Sequence, residues 1–294
     1  MWTPCLGAAT LRPHSVARPH VGTSRRGFLS NMLHIGALLD RAPGRKYLAA
    51  LRFAELALRS PLPRAATLAS MRKALPDNFV LALRAPRTAV VSARGPLRED
   101  AELTAAVAWM NEAANALQAR AVIIHTPSEL TPGASSKDLL RAYAAQLPRV
   151  PDRHYVWSAQ GAWEPEEAEA MCKELGLVRA FDPLETPPSG ASEVVYATLR
   201  ALGHRAGFSY SALADAVTRT LAHSPREAFI SVDAERSFDV AKRLQTLANE
   251  GLRESQAPLT AGALDGEDEG DDAEDWDEDD DAAGEGDDDD NEAS

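Results

Sequence analysis

Eight short apolar runs, alternating with amphipathic helical segments, predict a closed barrel of parallel strands, each followed by a helix. Three observations carry the reading. The runs fall at 33–38, 52–56, 79–83, 121–125, 154–158, 178–181, 194–199 and 228–232. Several are apolar nearly throughout, as expected of parallel strands buried on both faces. Between them the apolar spacing changes to the helical period. The whole array fills about residues 30–252, close to the roughly 250 residues usual for a TIM-like (β/α)8 barrel. A doubly wound open sheet is the alternative, but no GxGxxG or GxxxxGK[ST] follows any of the runs.

The elements follow in order. Only Ala42 to Leu51 separates the first two strands, so that crossover helix must be short. A helix over 65–75 stops at Pro76, which has no amide proton to donate. Leu103, Val107, Met110, Ala114 and Leu117 repeat at helical spacing, and Glu99, Asp100 and Glu102 precede them where a helix dipole favours negative charge. Ser136 is the predicted cap of a helix carrying Leu139, Leu140, Tyr143 and Leu147. Pro165 sits near a first helical position, Glu166 and Glu167 fill that first turn, and Gly176 is placed to end the helix. Ser209 begins a helix with Leu213, Val217 and Leu221. Ser237 begins the last, with Val240, Leu244 and Leu247, and Gly251 is predicted to close it.

The ends differ from the middle. The net charge of −13 is concentrated at the C-terminus: residues 263–294 hold 19 of the 44 acidic residues and no Lys or Arg, which leaves 25 acids against 31 bases elsewhere. Residues 253–294 are therefore predicted to be a disordered acidic tail, since such a segment repels itself and buries too little apolar area to offset its ordering entropy. It would act as a solubilising extension, or as an electrostatic arm for a basic protein partner with Trp276 as an anchor. Residues 1–29 contain no acid and are rich in Pro, Gly, His and Arg, which predicts a flexible basic leader. Thr23 to Leu29 resembles a twin-arginine export signal. The apolar segment after it is short, is broken by His34 and Asp40, and lacks a small-residue cleavage site. The segment 32–36 reads better as the first strand, and Met32 is an alternative start.

Several function classes are disfavoured. The small basic excess outside the tail does not predict nucleic-acid binding. No apolar stretch approaches the ~18 residues of a membrane span. Cys5 and Cys172 form no CxxC-type spacing, Cys172 falls on the apolar side of a helix, and no disulfide is expected. This usage fits a cytoplasmic location.

Leu51 to Leu56, Pro61 to Leu68 and above all Leu75 to Arg87 (LPDNFVLALRAPR) together resemble the YecE-like family, domain of unknown function 72. Ile123 to Pro127, Trp163, Val195 to Leu199 and the strand at Ile230 to Asp233 echo the family's later motifs in the same order. The resemblance covers about residues 32–250 and implies a TIM-like barrel; the family's activity is not established. This sequence also departs from the pattern. Ala57 replaces an Asn. Trp157, Ala159 and Gln160 replace a Glu, an Arg and a His, while Thr198 and Arg200 replace an Arg and a His. Val232 and Asp233 stand for an Asn pair. A divergent member, catalytically altered or inactive, is implied.

In such a barrel a site lies at the C-terminal ends of the strands. The polar residues there are Glu55, Arg84, Arg87, His125, Gln160, Asp182, Arg200 and Asp233. Arg84, Arg87 and Arg200 with Glu55 predict a small anionic ligand, phosphate or carboxylate, because a guanidinium binds either with two parallel hydrogen bonds. His125 with Asp182 or Asp233 would supply general acid/base chemistry. The competing reading is that these groups pair with one another and fix loops, with Asp182 forming a turn before Pro183. One His at the strand ends is too few for a catalytic metal, no cofactor is expected, and no Gly-x-Ser-x-Gly or Cys–His arrangement points to a covalent nucleophile. Two functions remain: a metal-independent barrel acting on a small anion, or a degenerate barrel that serves as a binding or scaffold protein through its tail.

Overall fold

A computed structural model describes residues 33–188, 190–201 and 207–254. The elements are β1 (Leu33–Leu39), α1 (Arg45–Ala50), β2 (Phe53–Leu56), α2 (Ala65–Lys73), β3 (Val80–Arg84), a small hairpin of β4 (Val91–Ser92) and β5 (Gly95–Pro96), α3 (Ala101–Ala116), β6 (Ala121–His125), α4 (Ala134–Ala145), β7 (His154–Ser158), α5 (Pro165–Leu175), β8 (Val178–Phe181), β9 (Val194–Arg200), α6 (Tyr210–Leu221), β10 (Glu227–Asp233) and α7 (Ser237–Glu254). Eight strands close in the order β1-β10-β9-β8-β7-β6-β3-β2, and every pair in the ring is parallel. All eight predicted strands are present, within a residue or two of their expected ends. The proposed leader, and the acidic segment from residue 255 on, lie outside the described residues.

Local chemistry accounts for the helix ends. Asp100 accepts from the Leu103 amide at 2.8 Å, and Ser209 accepts from Ala212 at 3.1 Å, each satisfying an amide that the first turn leaves unpaired. Pro165 opens α5, and Gly176 ends it in the left-handed region at φ 65°. Three expectations need correction. Ser136 is not a cap: α4 starts earlier, where Gly133 takes the extended cap conformation and its carbonyl receives the Lys137 amide. Gly251 does not close α7, which continues to Glu254; one helical glycine costs only about 1 kcal/mol. Among the described residues no helix crosses from β8 to β9, so the alternation is incomplete there. No helix is long and apolar enough to cross a membrane among the described residues.

The sheet separates two apolar layers. Phe53, Ala82, Ala121, Ile123, Val156, Val194, Tyr196 and Phe229 pack together inside the barrel. Their chain neighbours Ala54, Leu81, Leu83, Val122, Ile124, Val195, Ala197, Ala228 and Ile230 belong to the other cluster, beneath the helices. Successive side chains on a strand point to opposite faces, so one parity fills the barrel and the other packs outward. Gly36 belongs to the inward parity of β1. A Cβ there would lie 2.1 Å from the carbonyl oxygen of Phe53, its partner on β2. Tyr47 of α1 reinforces the same seam. Its hydroxyl donates to Phe53 O at 2.6 Å and accepts from Ala37 N at 2.8 Å.

A charged cluster closes the N-terminal end of the barrel. Arg120 grips Glu227 with two parallel bonds, Nε to Oε1 at 2.9 Å and Nη2 to Oε2 at 3.0 Å. His34 and His154 contact the same carboxylate at 3.3 and 3.1 Å. Burial raises the Glu227 pKa, but these partners outweigh it and hold the carboxyl far below the ordinary range.

Candidate functional site

The inward parity decides which polar side chains reach the C-terminal mouth. Two residues beyond Phe53 comes Glu55, beyond Ala82 comes Arg84, and beyond Ile123 comes His125. Ser158 follows Val156, Thr198 and Arg200 follow Tyr196, and Ser231 and Asp233 follow Phe229. The apolar floor of the barrel is thus capped by a polar layer.

Glu55 is wholly buried. Its Oε1 accepts from Arg84 Nε at 2.6 Å and its Oε2 from the Tyr196 hydroxyl at 2.8 Å. Burial pushes the Glu55 pKa up, yet the Arg84 guanidinium and the other polar neighbours win and keep it below the usual carboxylate value. Tyr196 moves the other way: burial, then the adjacent Glu55 charge, raise its pKa well above that of an ordinary phenol, so it remains a donor. Arg84 also reaches Asp233, whose Oδ2 lies 3.3 and 3.4 Å from Nη2 and Nη1. Ser231 is buried beside Glu55. Among the described residues its hydroxyl lacks a partner of good hydrogen-bond geometry, so it adds little to that carboxylate.

His125 stands next to this network. Arg200 Nη2 lies 3.2 Å from its Nδ1. A guanidinium only donates, so Nδ1 must present its lone pair and the ring proton sits on Nε2. Burial, then the positive charges of Arg84 and Arg200 against the opposing pull of Glu55, lower the His125 pKa to about 4. The ring is neutral at pH 7. Its Nε2 is buried and has no partner among the described residues, and the same holds for Thr198 Oγ1.

Arg200 differs from Arg84 in having no carboxylate partner among the described residues. It lines a cavity of about 180 Å³ with Ser158, Thr198, Arg179, Asp182 and Glu185. Arg179 is held by Glu169 at 3.3 Å and by the Thr186 carbonyl at 3.1 Å.

Of the residues singled out in the sequence, Glu55, Arg84 and Asp233 share one network, and His125 bonds to Arg200 beside it. Asp182 borders the 180 Å³ cavity, but its Oδ1 accepts from the Leu184 amide at 2.9 Å, closing a turn. The bonded partner of His125 is Arg200, not Asp182 or Asp233. Arg87 is exposed on a 3-10 turn (Arg87–Ala89) beyond Pro86, and Gln160 is exposed past the end of β7. Tyr196, Thr198, Ser158 and Ser231 were absent from the predicted set. Trp157, read as replacing a family Glu, packs outward against Trp163 and donates to Thr126; the inward residue at that strand end is Ser158. Among the described residues no three His, Cys, Asp or Glu side chains are placed to hold a metal.

No family model and no curated protein matches the sequence. Solved structures do match in fold. A DUF72 family protein (domain of unknown function 72) from Enterococcus faecalis V583 superposes with a TM-score of 0.53 at 15% identity, covering 76% of this chain and 98% of that one. This chain has the fold of a DUF72 family protein. A second crystal structure described in the same way, also from E. faecalis V583, gives a TM-score of 0.53 at 15% identity over 74% and 96% of the two chains. Endonuclease IV from Thermus thermophilus is more distant, with a TM-score of 0.44, 15% identity and coverage of 76% and 99%. The DUF72 likeness agrees with the resemblance carried by Leu75 to Arg87. At this identity it speaks for the barrel and not for any chemistry at its mouth.

Proposed function

We propose that this barrel is a divergent member of the domain of unknown function 72 family that binds a small oxyanion, phosphate or carboxylate, at its C-terminal mouth without a metal. One observation carries the reading: Arg200 borders a cavity and forms no ion pair with a carboxylate among the described residues, even with Asp182 and Glu185 on the same walls, whereas Arg84 is engaged by Glu55 and Asp233. Thr198 and the neutral N–H of His125 add polar groups without a partner among the described residues beside that cation, and an anion accepting from them would relieve the cost of burying them unpaired. In this arrangement His125 is a donor that would polarise a bound oxyanion. Acting as a general base would require Nδ1 to give up its bond to Arg200.

The test is a thermal-shift titration of the full chain with phosphate and with small carboxylates, alongside Arg200→Ala and Arg87→Ala. A shift that Arg200→Ala abolishes and Arg87→Ala preserves supports the site. A second reading is favoured by the engagement of Arg84: the mouth is a closed ion-pair network, and the chain works as a scaffold whose acidic segment meets a basic protein. Absence of any shift, together with basic proteins that co-purify only when residues 256–294 are present, would select that reading.

A further inference from the structure

We infer that the ligand of this mouth is bipartite, with an oxyanion head beside Arg200 joined to a hydroxyl-bearing body that lies against Asp233. This rests on the anion reading above. A second cavity, of about 510 Å³, opens at the ends of β1, β2 and β10, with Leu38, Asp40, Tyr47, Ala57 and Asp233 among its walls. Leu38, Ala57 and Asp233 continue the inward parity of their strands, while Leu39, Gly44, Tyr47 and Ser237 wall the other side, so this space borders the barrel mouth on one side and the helix layer on the other. Asp233 and Arg200 are register partners on β10 and β9, about 5 Å apart across the sheet. One lines each cavity, and the inferred ligand would cross from one space to the other over that pair.

Size separates their roles. A volume of 180 Å³ lies below the roughly 300–1,000 Å³ of metabolite pockets and suits an anionic head alone. The 510 Å³ space has room for the rest of a molecule. Its chemistry points to hydroxyl groups. Both Arg84 contacts fall on Asp233 Oδ2, which leaves Oδ1 to accept, and the side chain is 34% exposed. Asp40 is already engaged by Arg41 and Arg59 at 3.1 Å each. An ammonium group would meet repulsion from Arg84, Arg200 and Arg59, whereas a neutral hydroxyl would not. Leu38, Ala57 and the Tyr47 ring offer apolar surface to the C–H face of a polyol. The ligand class is therefore a phosphorylated or carboxylated polyol.

Calorimetric titration of the full chain tests this with two pairs of probes: inorganic phosphate against ribose 5-phosphate, and acetate against gluconate. In at least one pair the polyol should bind about ten- to a hundredfold tighter than its head group, the worth of one hydrogen bond to a charged acceptor. Ribose alone should bind weakly. Ala57→Leu, which fills the second cavity, should reduce the polyol to the affinity of its head group and leave head-group binding unchanged. Asp233→Asn, which preserves volume but takes one partner from Arg84, should lower the ratio of polyol to head-group affinity about tenfold. Equal affinities within both pairs, or a gain that survives both substitutions, would overturn the inference while leaving the anion site standing. Failure of phosphate and acetate alike to bind wild-type protein would overturn the anion reading and this inference with it.

Discussion

Arg84 Nε lies 2.6 Å from Glu55 Oε1, and that carboxylate is entirely out of water. With Tyr196 and Asp233 the pair forms the floor of the mouth. Taking one charge away strands the other in a low-dielectric site. Arg84→Met should therefore lower unfolding free energy by about 3–5 kcal/mol. Replacing both groups, as Glu55→Leu with Arg84→Met, should recover most of that loss, because no wholly buried charge is left unpaired and Asp233, which also loses Arg84, is 34% exposed to water. Urea unfolding of the two variants measures the difference. A double variant no more stable than the single would mean that the ion pair is worth more than its desolvation cost.

His125 makes stability fall in mild acid. Its pKa is lowered to about 4 in the folded chain, chiefly by burial, from an ordinary 6.5. Between those values the unfolded chain binds the additional proton, so stability drops as pH falls from 6.5 toward 4 and is unaffected above 6.5. The loss should reach on the order of 3 kcal/mol. His125→Gln should flatten that part of the profile. Urea midpoints collected from pH 7.5 to 4 would show it, and identical slopes in both proteins would contradict the assignment.

Glu227 acts at the opposite end of the barrel and in stronger acid. Burial opposes its charge, but His154, His34 and Arg120 together depress its pKa. The contribution is present above the unfolded carboxyl value of 4.5 and disappears as pH falls toward the depressed folded value. Glu227→Gln keeps the shape and loses the charge, with an expected cost of about 2–3 kcal/mol at pH 7. That figure is discounted because Arg120 is 32% exposed. The gap between wild type and variant should narrow steadily in unfolding experiments below pH 4.5; a gap independent of pH would show that shape, not charge, matters there.

The strands were legible because each is a short apolar run bounded by breakers, and parallel strands buried on both faces need nothing else. The same property hid part of the site. When both faces of a strand are apolar, composition does not say which parity faces the barrel axis. Tyr196 and Thr198 sit in the run VVYATL and read as core, although they lie directly beneath Arg200 on the inward face. Ser158 was obscured in the same way by Trp157. Charged strand ends were visible: Glu55, Arg84, His125, Arg200 and Asp233 stand out against their runs. Arg87 looks equivalent in sequence, but Pro86 turns the chain away and leaves it exposed. A parity rule anchored strand by strand on the charged end residue, Arg200 for Tyr196 and Thr198, Asp233 for Ser231 and Arg84 against Arg87, finds those hydroxyls and sets Arg87 aside.

Gly36 supplies that anchor for β1 and a final test of the parity. It lies on the inward face opposite Phe53, and an added methyl would sit 2.1 Å from the Phe53 carbonyl oxygen and 2.6 Å from its carbon. These are backbone atoms of the neighbouring strand, so no rotamer change relieves the clash. The β1–β2 seam would have to open, and the hydroxyl of Tyr47, bonded to Ala37 N and Phe53 O, would lose its geometry with it. Gly36→Ala should cost more than the ~1–3 kcal/mol of ordinary overpacking and should leave little folded protein. Shrinking the ring of Phe53, as in Phe53→Leu, should not rescue it, because the obstacle is the main chain. Circular dichroism and unfolding of the single and double variants decide the point: a well-folded Gly36→Ala protein would mean that β1 pairs with β2 in another register and that Leu38 does not face the mouth.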